Sequence, residues 1–295
     1  MKIISQIKGG IGNQLFCYSA ARRLAIVNSA ELVLDDVSGF KRDFKYKRKF
    51  ELDRFNISAR RATPNERFEP FPRLRRKLKI GLNNFRPFEK RDYLVQKQMD
   101  FDSRLLNYKQ NSDIYIEGYW QSEDYFKDVE KIVREDLMII PPIDKMNLKL
   151  SEKICKNNSI AVHYRFFDDI ASDKKNNISH EYYKTAIKKM ESEVPNAHFY
   201  FFSDKPEQVS SLVSIPHNRF TLVDHNQNKG MAYADLYLMS LCDHYIIANS
   251  TFSWWGAWLG RKKDKKIIAP GFEKKFGETW WGFKGLIPNY WYKVI

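Results

Sequence analysis

The sequence predicts an α/β fold built from two doubly wound, Rossmann-like domains, and three observations lead there. Short apolar runs alternate with helix-spaced segments through the second half, the pattern of parallel strands joined by crossover helices. The chain opens on a strand that runs through a glycine turn into a helix, the start of a second such unit. Its 295 residues are too many for one small core, and Pro141-Pro142 breaks the chain near its middle. The expected domains are residues 1–145 and 146–295, with the C-terminal tail packing back on the first.

In order, Ile3 to Ile7 reads as a strand, Lys8 to Gly12 as a turn, and Asn13 to about Val27 as a helix. Glu31 to Leu34 is a second strand. From about Phe40 to Arg91 the chain is basic and punctuated by Pro64, Pro70, Pro72 and Pro87, and no element is assigned. Asp113 to Glu117 is again a strand. In the second half, strands are expected at Ser159 to His163, His198 to Phe202, Phe220 to Val223, His244 to Ala248 and Lys266 to Ala269. Helices are expected at Glu181 to Met190, Pro206 to Leu212, Met231 to Leu241 and Phe252 to Leu259.

Composition narrows the function classes. With 43% hydrophobic and 29% charged residues the chain should fold rather than stay disordered. No run approaches the roughly 18 apolar residues of a membrane span. The N-terminus reads as a structural strand rather than a secretory leader. Three widely spaced cysteines, Cys17, Cys155 and Cys242, form neither a disulfide framework nor a zinc pattern, so a cytoplasmic location is expected. The net charge of +14 is concentrated in Lys41 to Lys49 and Arg73 to Lys79. It is either a solvated basic surface or a patch for anionic lipid head groups. No nucleic-acid-binding module is recognisable, and nucleic acid is not expected as a partner.

In doubly wound sheets ligands sit outside the carboxyl ends of the strands, so the residues following each strand are the candidates. Gly9-Gly10-Ile11-Gly12-Asn13-Gln14 forms a turn into a helix, where glycine admits close approach and free N–H groups favour an anion. His163-Tyr164-Arg165 is followed by Asp168 and Asp169. Its arginine can hold a diphosphate in a bidentate grip, and a carboxylate nearby can accept a proton. The alternative is a structural Arg–Asp pair. Ser203-Asp204 ends another strand, where Asp204 either receives a base's amine or caps the next helix. Asn249-Ser250-Thr251-Phe252-Ser253 begins a helix and makes a phosphate cradle. The tryptophans that follow suit a core. Asp100-Phe101-Asp102 does not follow a clear buried strand, and no metal site is expected.

Taken together these segments resemble glycosyltransferase family 11, the bacterial α-1,2-fucosyltransferases. The matching stretches are GGIGNQLF (9–16), EGYWQSEDYF (117–126), AVHYR (161–165), FYFFSD (199–204), MAYADLYLMSLCDHYIIANSTFSWWGAWL (231–259) and IIAP (267–270). The resemblance implies a GT-B fold with a nucleotide-sugar cleft between two facing Rossmann-like domains. The first would be the acceptor side and the second would bind the donor. It implies metal-independent, inverting transfer of L-fucose from GDP-β-L-fucose to the 2-hydroxyl of a terminal β-galactose in a bacterial surface glycan, with no cofactor. The acceptor could be lipid-linked, with peripheral contact at the inner face of the cytoplasmic membrane. Arg165 would contact the GDP phosphates, with Ser250 and Thr251 along them. His163 and Asp204 would hold the nucleoside, and Asn13 and Gln14 would lie near fucose or diphosphate. Gly10, Gly12, Ser203, Asn249, Phe252 and Ser253 complete the donor residues. Tyr119, Trp120 and Gln121 are the acceptor residues, and Asp168 or Asp169 is the base. One departure matters: the family's His-x-Arg-Arg-Gly-Asp is here His163-Tyr164-Arg165-Phe166-Phe167-Asp168. Either Arg165 acts alone, or a basic residue elsewhere substitutes, or the enzyme prefers another GDP-hexose. A non-catalytic relative is the remaining alternative.

Overall fold

The computed structural model describes residues 1–167, 177–213, 215–228, 230–276 and 279–295. The chain divides into two compact units, one of residues 1–138 with 284–286 and one of residues 139–283 with 287–295.

The first unit holds a parallel five-stranded sheet: β1 (Lys2–Gln6), β2 (Glu31–Asp35), β3 (Arg60–Arg61), β4 (Tyr93–Val95) and β5 (Ile114–Glu117), in the order β3-β2-β1-β5-β4. Helix α1 (Ile11–Val27) packs on β1 and β2, burying Leu15, Phe16, Ala20, Ala21, Leu24 and Ala25. Helix α2 (Pro72–Asn84) packs on β4, and α3 (Glu130–Asp136) closes the unit. Residues 284–286 belong here through two bonds: Phe101 donates to the Lys284 carbonyl, and Lys284 N–H donates to Asp100.

The second unit holds a parallel six-stranded sheet. Its strands are β6 (Asn158–Tyr164), β7 (Ala197–Ser203), β8 (Phe220–Val223), β9 (His244–Ile246), β10 (Ile267–Pro270) and β13 (Tyr292–Val294). They lie in the order β13-β10-β9-β6-β7-β8. A two-stranded antiparallel ribbon, β11 (Lys274–Phe276) with β12 (Thr279–Trp281), is added after β10. The helices are α4 (Lys145–Lys156), α5 (His180–Glu193), α6 (Pro206–Ser210), α7 (Ala232–Leu241) and α8 (Thr251–Leu259). Central strands β6 and β7 are buried along nearly all their length and apolar in their middles, as expected where helices cover both faces of such a sheet. Gly256 of α8 lies against α7 so closely that a Cβ there would meet Met239 at 2.9 Å, which explains a glycine inside a helix. Trp254 and Trp255 are fully buried, and Trp254 packs on Trp258 and Trp291, so the tryptophan pair is core. Among the described residues no helix is long and apolar enough to cross a membrane.

Candidate active site

Strand order locates the site in the second unit. The chain lays down β6, builds outward through β7 and β8, then returns to place β9 on the other side of β6. The winding reverses between β6 and β9, and ligands of such sheets occupy the crevice beyond the strand ends at that point. His163 lies near the end of β6 and Arg165 just past it, and Asn249 and Ser250 follow β9. The His163 and Phe252 rings are 5.4 Å apart, so the end of β6 and the start of α8 meet there.

Arg165 and Asp204 are brought together by strand register. β6 pairs β7 with Tyr164 opposite Ser203, which sets the next residues side by side. Arg165 Nη1 lies 2.8 Å from Asp204 Oδ2, and Phe166 N–H donates to Asp204 Oδ1 at 3.1 Å. Asp204 therefore ties the loop after β6, and the N-cap of α6 is Lys205, correcting the capping role that position alone suggests. Ser203 Oγ accepts from Lys205 N–H instead. Both partners of the ion pair keep nearly a third of their side-chain surface exposed. A pair that exposed contributes only ~0–1 kcal/mol, so a doubly charged diphosphate can take the guanidinium from Asp204.

His163 is buried, and its Nδ1 has no hydrogen-bond partner among the described residues. Burial, aided by the Arg165 charge, pushes its pKa down to about 3, so the imidazole is neutral at physiological pH and a poor general base. Asn249 is 5% exposed, and among the described residues neither its Oδ1 nor its Nδ2 has a partner. Two unsatisfied polar atoms in one buried carboxamide call for an explanation, and bonding to a ligand is one that fits its place beyond β9. Ser250 caps α8, its Oγ accepting from Phe252 N–H, and Ser253 Oγ donates to the Ser250 carbonyl. Thr251 begins the helix, whose N-terminal dipole faces the same strand ends. Asp168 and Asp169 lie outside the described residues.

In the first unit the winding reverses between β1 and β5. Gly9 has φ +78°, and a Cβ there would sit 2.7 Å from Asn13 Nδ2, so glycine is needed for the turn to close onto α1. Gly10 caps α1 without a side-chain bond, and Gly12 lies buried in the first turn. The Arg48 guanidinium sits 3.6 Å from where a Gly10 Cβ would be, and Lys8 Nζ lies 4.8 Å from the Tyr119 ring centre. An uncapped helix start beside two cations suits an anionic group. Asn13 and Gln121 meet, Gln121 Nε2 donating to Asn13 Oδ1 at 2.8 Å.

Two expectations for this unit are corrected. Gln14 is fully buried; its Nε2 donates to the Gly9 and Lys49 carbonyls and its Oε1 accepts from Glu51 N–H. Nothing of that carboxamide remains for a donor, and Gln14 is a clamp on the loop carrying Arg48. Trp120 is 4% exposed and packs edge-on against Tyr125, so its ring offers no platform to a sugar. Tyr119 is the partly exposed aromatic of the three. Asp102 pairs with Arg104 at 2.6 Å and Asp100 accepts from Lys284 N–H.

Sequence reasoning missed Asp235, in the first turn of α7. It is 8% exposed, and Asn226 Nδ2 donates to its Oδ1 at 2.8 Å. Gln227, beside Asn226, donates to the Ser203 carbonyl, which ties this loop to the end of β7. Burial raises the Asp235 pKa to about 7, against a smaller lowering by the Asn226 bond. The folded state thus holds a proton that the unfolded chain releases near pH 4. Between those values the native state binds more protons, so its contribution to stability falls as pH rises and levels off above about 7. Urea unfolding of the wild type and Asp235→Asn between pH 5 and 8 should show that slope in the wild type and a flatter one in the variant. Parallel curves would remove the buried titration.

The comparisons with known proteins agree with this architecture. The glycosyl transferase family 11 model matches residues 61–279. The O-antigen biosynthesis glycosyltransferase WbnK of Escherichia coli is 30% identical over 284 residues, covering 90% of this chain and 93% of that protein. An alpha-1,2-colitosyltransferase of Escherichia coli is 29% identical over 277 residues, covering 91% of each. An Arabidopsis thaliana FUT1 variant in complex with GDP superposes with a TM-score of 0.54 at 14% identity. It covers 90% of this chain and 69% of that one, a likeness of fold: the GT-B architecture of two Rossmann-like units. The family model spans most of the chain and the relatives nearly all of it, and the chain belongs to glycosyltransferase family 11.

Proposed function

We propose that the protein transfers L-fucose from GDP-β-L-fucose to the 2-hydroxyl of a terminal β-galactose in an O-antigen or similar surface-glycan precursor, with inversion and without a metal. The observation that carries this is the convergence of His163, Arg165, Asn249 and Ser250 at the switch point of the second unit's sheet, in a family 11 chain. Arg165 leaves Asp204 to take the diphosphate, and the N-terminus of α8 adds its dipole. As the acceptor oxygen bonds to C1 of fucose, the C1–O bond to the diphosphate breaks and its electron pair leaves with GDP. Fixed positive charge at that point supplies stabilisation that other transferases draw from a metal. Asp168 or Asp169 takes the hydroxyl proton. Once Arg165 moves to the diphosphate, Asp204 Oδ2 is released, and it or the buried Asp235 carboxyl is an acceptor suited to the N–H donors of guanine. Tyr119 and Gln121 serve the acceptor. The E. coli relatives' names support the glycan context and the α-1,2 linkage.

A second reading keeps the fold and changes the sugar. Phe166 and Phe167 replace the family's Arg-Gly, and one relative is named as a colitosyltransferase. Colitose is fucose without its 3-hydroxyl, so an apolar neighbourhood would favour it. The deciding assay offers GDP-fucose, GDP-colitose and other GDP-hexoses with lactose and further β-galactosides, with and without EDTA, and reads the linkage by NMR. An α-1,2-fucosyl product formed equally with EDTA is the expected result. Preference for GDP-colitose would establish the second reading. GDP binding without any transfer would mark a non-catalytic relative, and no GDP binding would end all three.

A further inference from the structure

Helix α2 buries one side and leaves the other bare. Its packed side carries Arg76, which pairs with Asp35 at 2.9 Å, Ile80, which packs against the Ile4, Val33, Tyr93 and Tyr115 cluster, and Asn83, which bonds Asp92. Opposite these, Leu74, Leu78 and Leu82 are 60%, 59% and 62% exposed, and Phe71 and Phe85 at the two ends are 74% and 91% exposed. At about 100° per residue, all five fall within an arc of roughly 80°. Single exposed leucines are ordinary, but a continuous apolar stripe edged by charge marks a contact surface.

The edges of the stripe are basic. Arg75 lies on one side and Lys77 on the other, with Arg73 in the first turn further round beyond Lys77, all three exposed. Arg73 and Lys77 have no acidic partner among the described residues, and Arg75 donates only to the Glu69 carbonyl. The helix contains five Arg or Lys and no Asp or Glu. The Lys41 to Lys49 loop lies beside its start, tied by the Lys41–Glu69 pair at 3.2 Å, and exposes Phe44 and Tyr46.

We propose that α2 is an interfacial anchor that lies in the head-group layer of an anionic bilayer. Its Phe71–Phe85 stripe enters the acyl region, and Arg73, Arg75 and Lys77 rest on lipid phosphates. The helix is about 20 Å long, too short to span a bilayer but suited to lying in its surface. Charge complementarity selects this occupant. A second copy of α2 on the stripe would set the unneutralised Arg73, Arg75 and Lys77 against the same three cations, and nucleic acid offers phosphates but no apolar phase for the leucines. The inference is independent of the donor and linkage proposed above.

Flotation of the full chain with phosphatidylcholine vesicles, with and without phosphatidylglycerol, tests it at physiological salt. The protein should float with the anionic vesicles and stay behind with the neutral ones. The triple variant Leu74→Ser, Leu78→Ser, Leu82→Ser and the triple variant Arg73→Gln, Arg75→Gln, Lys77→Gln should each lower the bound fraction about ten-fold. Circular dichroism and GDP affinity should not change, since every altered side chain is exposed and none lies at the donor site. Failure of the wild type to float, or a leucine variant that floats as well as wild type, would overturn the proposal. So would a dimer in sedimentation equilibrium that the leucine changes abolish while flotation is absent, because a second copy would then cover the stripe.

Discussion

Arg165→Ala is expected to lower turnover with a GDP-sugar by about 100-fold or more, the usual effect of removing one fixed charge or donor aimed at a developing anion. The guanidinium stands at the switch point of the second unit, nearly a third exposed, paired with Asp204 and lying over the Phe167 ring at 5.4 Å. The motif offers no neighbouring arginine to take over, because Phe166 and Phe167 follow it. Arg165→Lys should recover part of the rate, since it keeps the charge but loses the two-pronged grip on a diphosphate. Stability should change by less than ~1 kcal/mol in either variant, which separates a catalytic loss from a folding defect. Steady-state kinetics with a urea-unfolding control make the measurement, and unchanged turnover in the alanine variant would remove Arg165 from the mechanism.

Asn249→Leu is expected to move stability and binding in opposite directions. In the free protein a buried carboxamide with both polar atoms unpartnered costs ~1–3 kcal/mol, and an apolar side chain of similar size relieves part of it. The variant should therefore unfold at higher urea. Its GDP affinity should fall about ten-fold or more, because the same carboxamide is proposed to complete its bonds on the ligand. Isothermal titration with GDP and urea unfolding on the same preparations read both quantities. A variant that is less stable yet binds GDP as before would make Asn249 an ordinary core residue.

Most of the second unit was legible in the sequence because its central strands are buried on both faces and therefore read as unbroken apolar runs. Phe220 to Val223 matches its strand, and the other expected strands and helices there overlap the observed ones. The first unit's middle was not legible. β3 is two arginines, held to β2 partly by the Arg60–Glu31 ion pair and carrying no apolar residue to mark a strand, and β4 is three residues long. In α2 the pattern is inverted, with leucines facing out and Arg76 facing the sheet, so apolar periodicity points to the wrong face.

The site was partly legible for a related reason. The strand-end rule gathers residues 163–165, 203–204 and 249–251 without any knowledge of contacts. The Arg165–Asp204 pair needs the β6–β7 register, which a single sequence does not supply. Gln14 was misread, although a signal existed: it sits in a helix apolar on nearly every side, where a carboxamide must satisfy itself internally. Asp235 gave no signal, because an acidic residue in a first helical turn reads as a solvated partner of the dipole.

The central claim is that a GDP-sugar binds at the switch point of the second unit's sheet, and a crystal structure with GDP tests it most directly. The account predicts the diphosphate within hydrogen-bonding distance of Arg165 and the first turn of α8, with Asn249 bonded to the ligand. A diphosphate held by other residues, with Arg165 still paired to Asp204 and Asn249 still unpartnered, would contradict it.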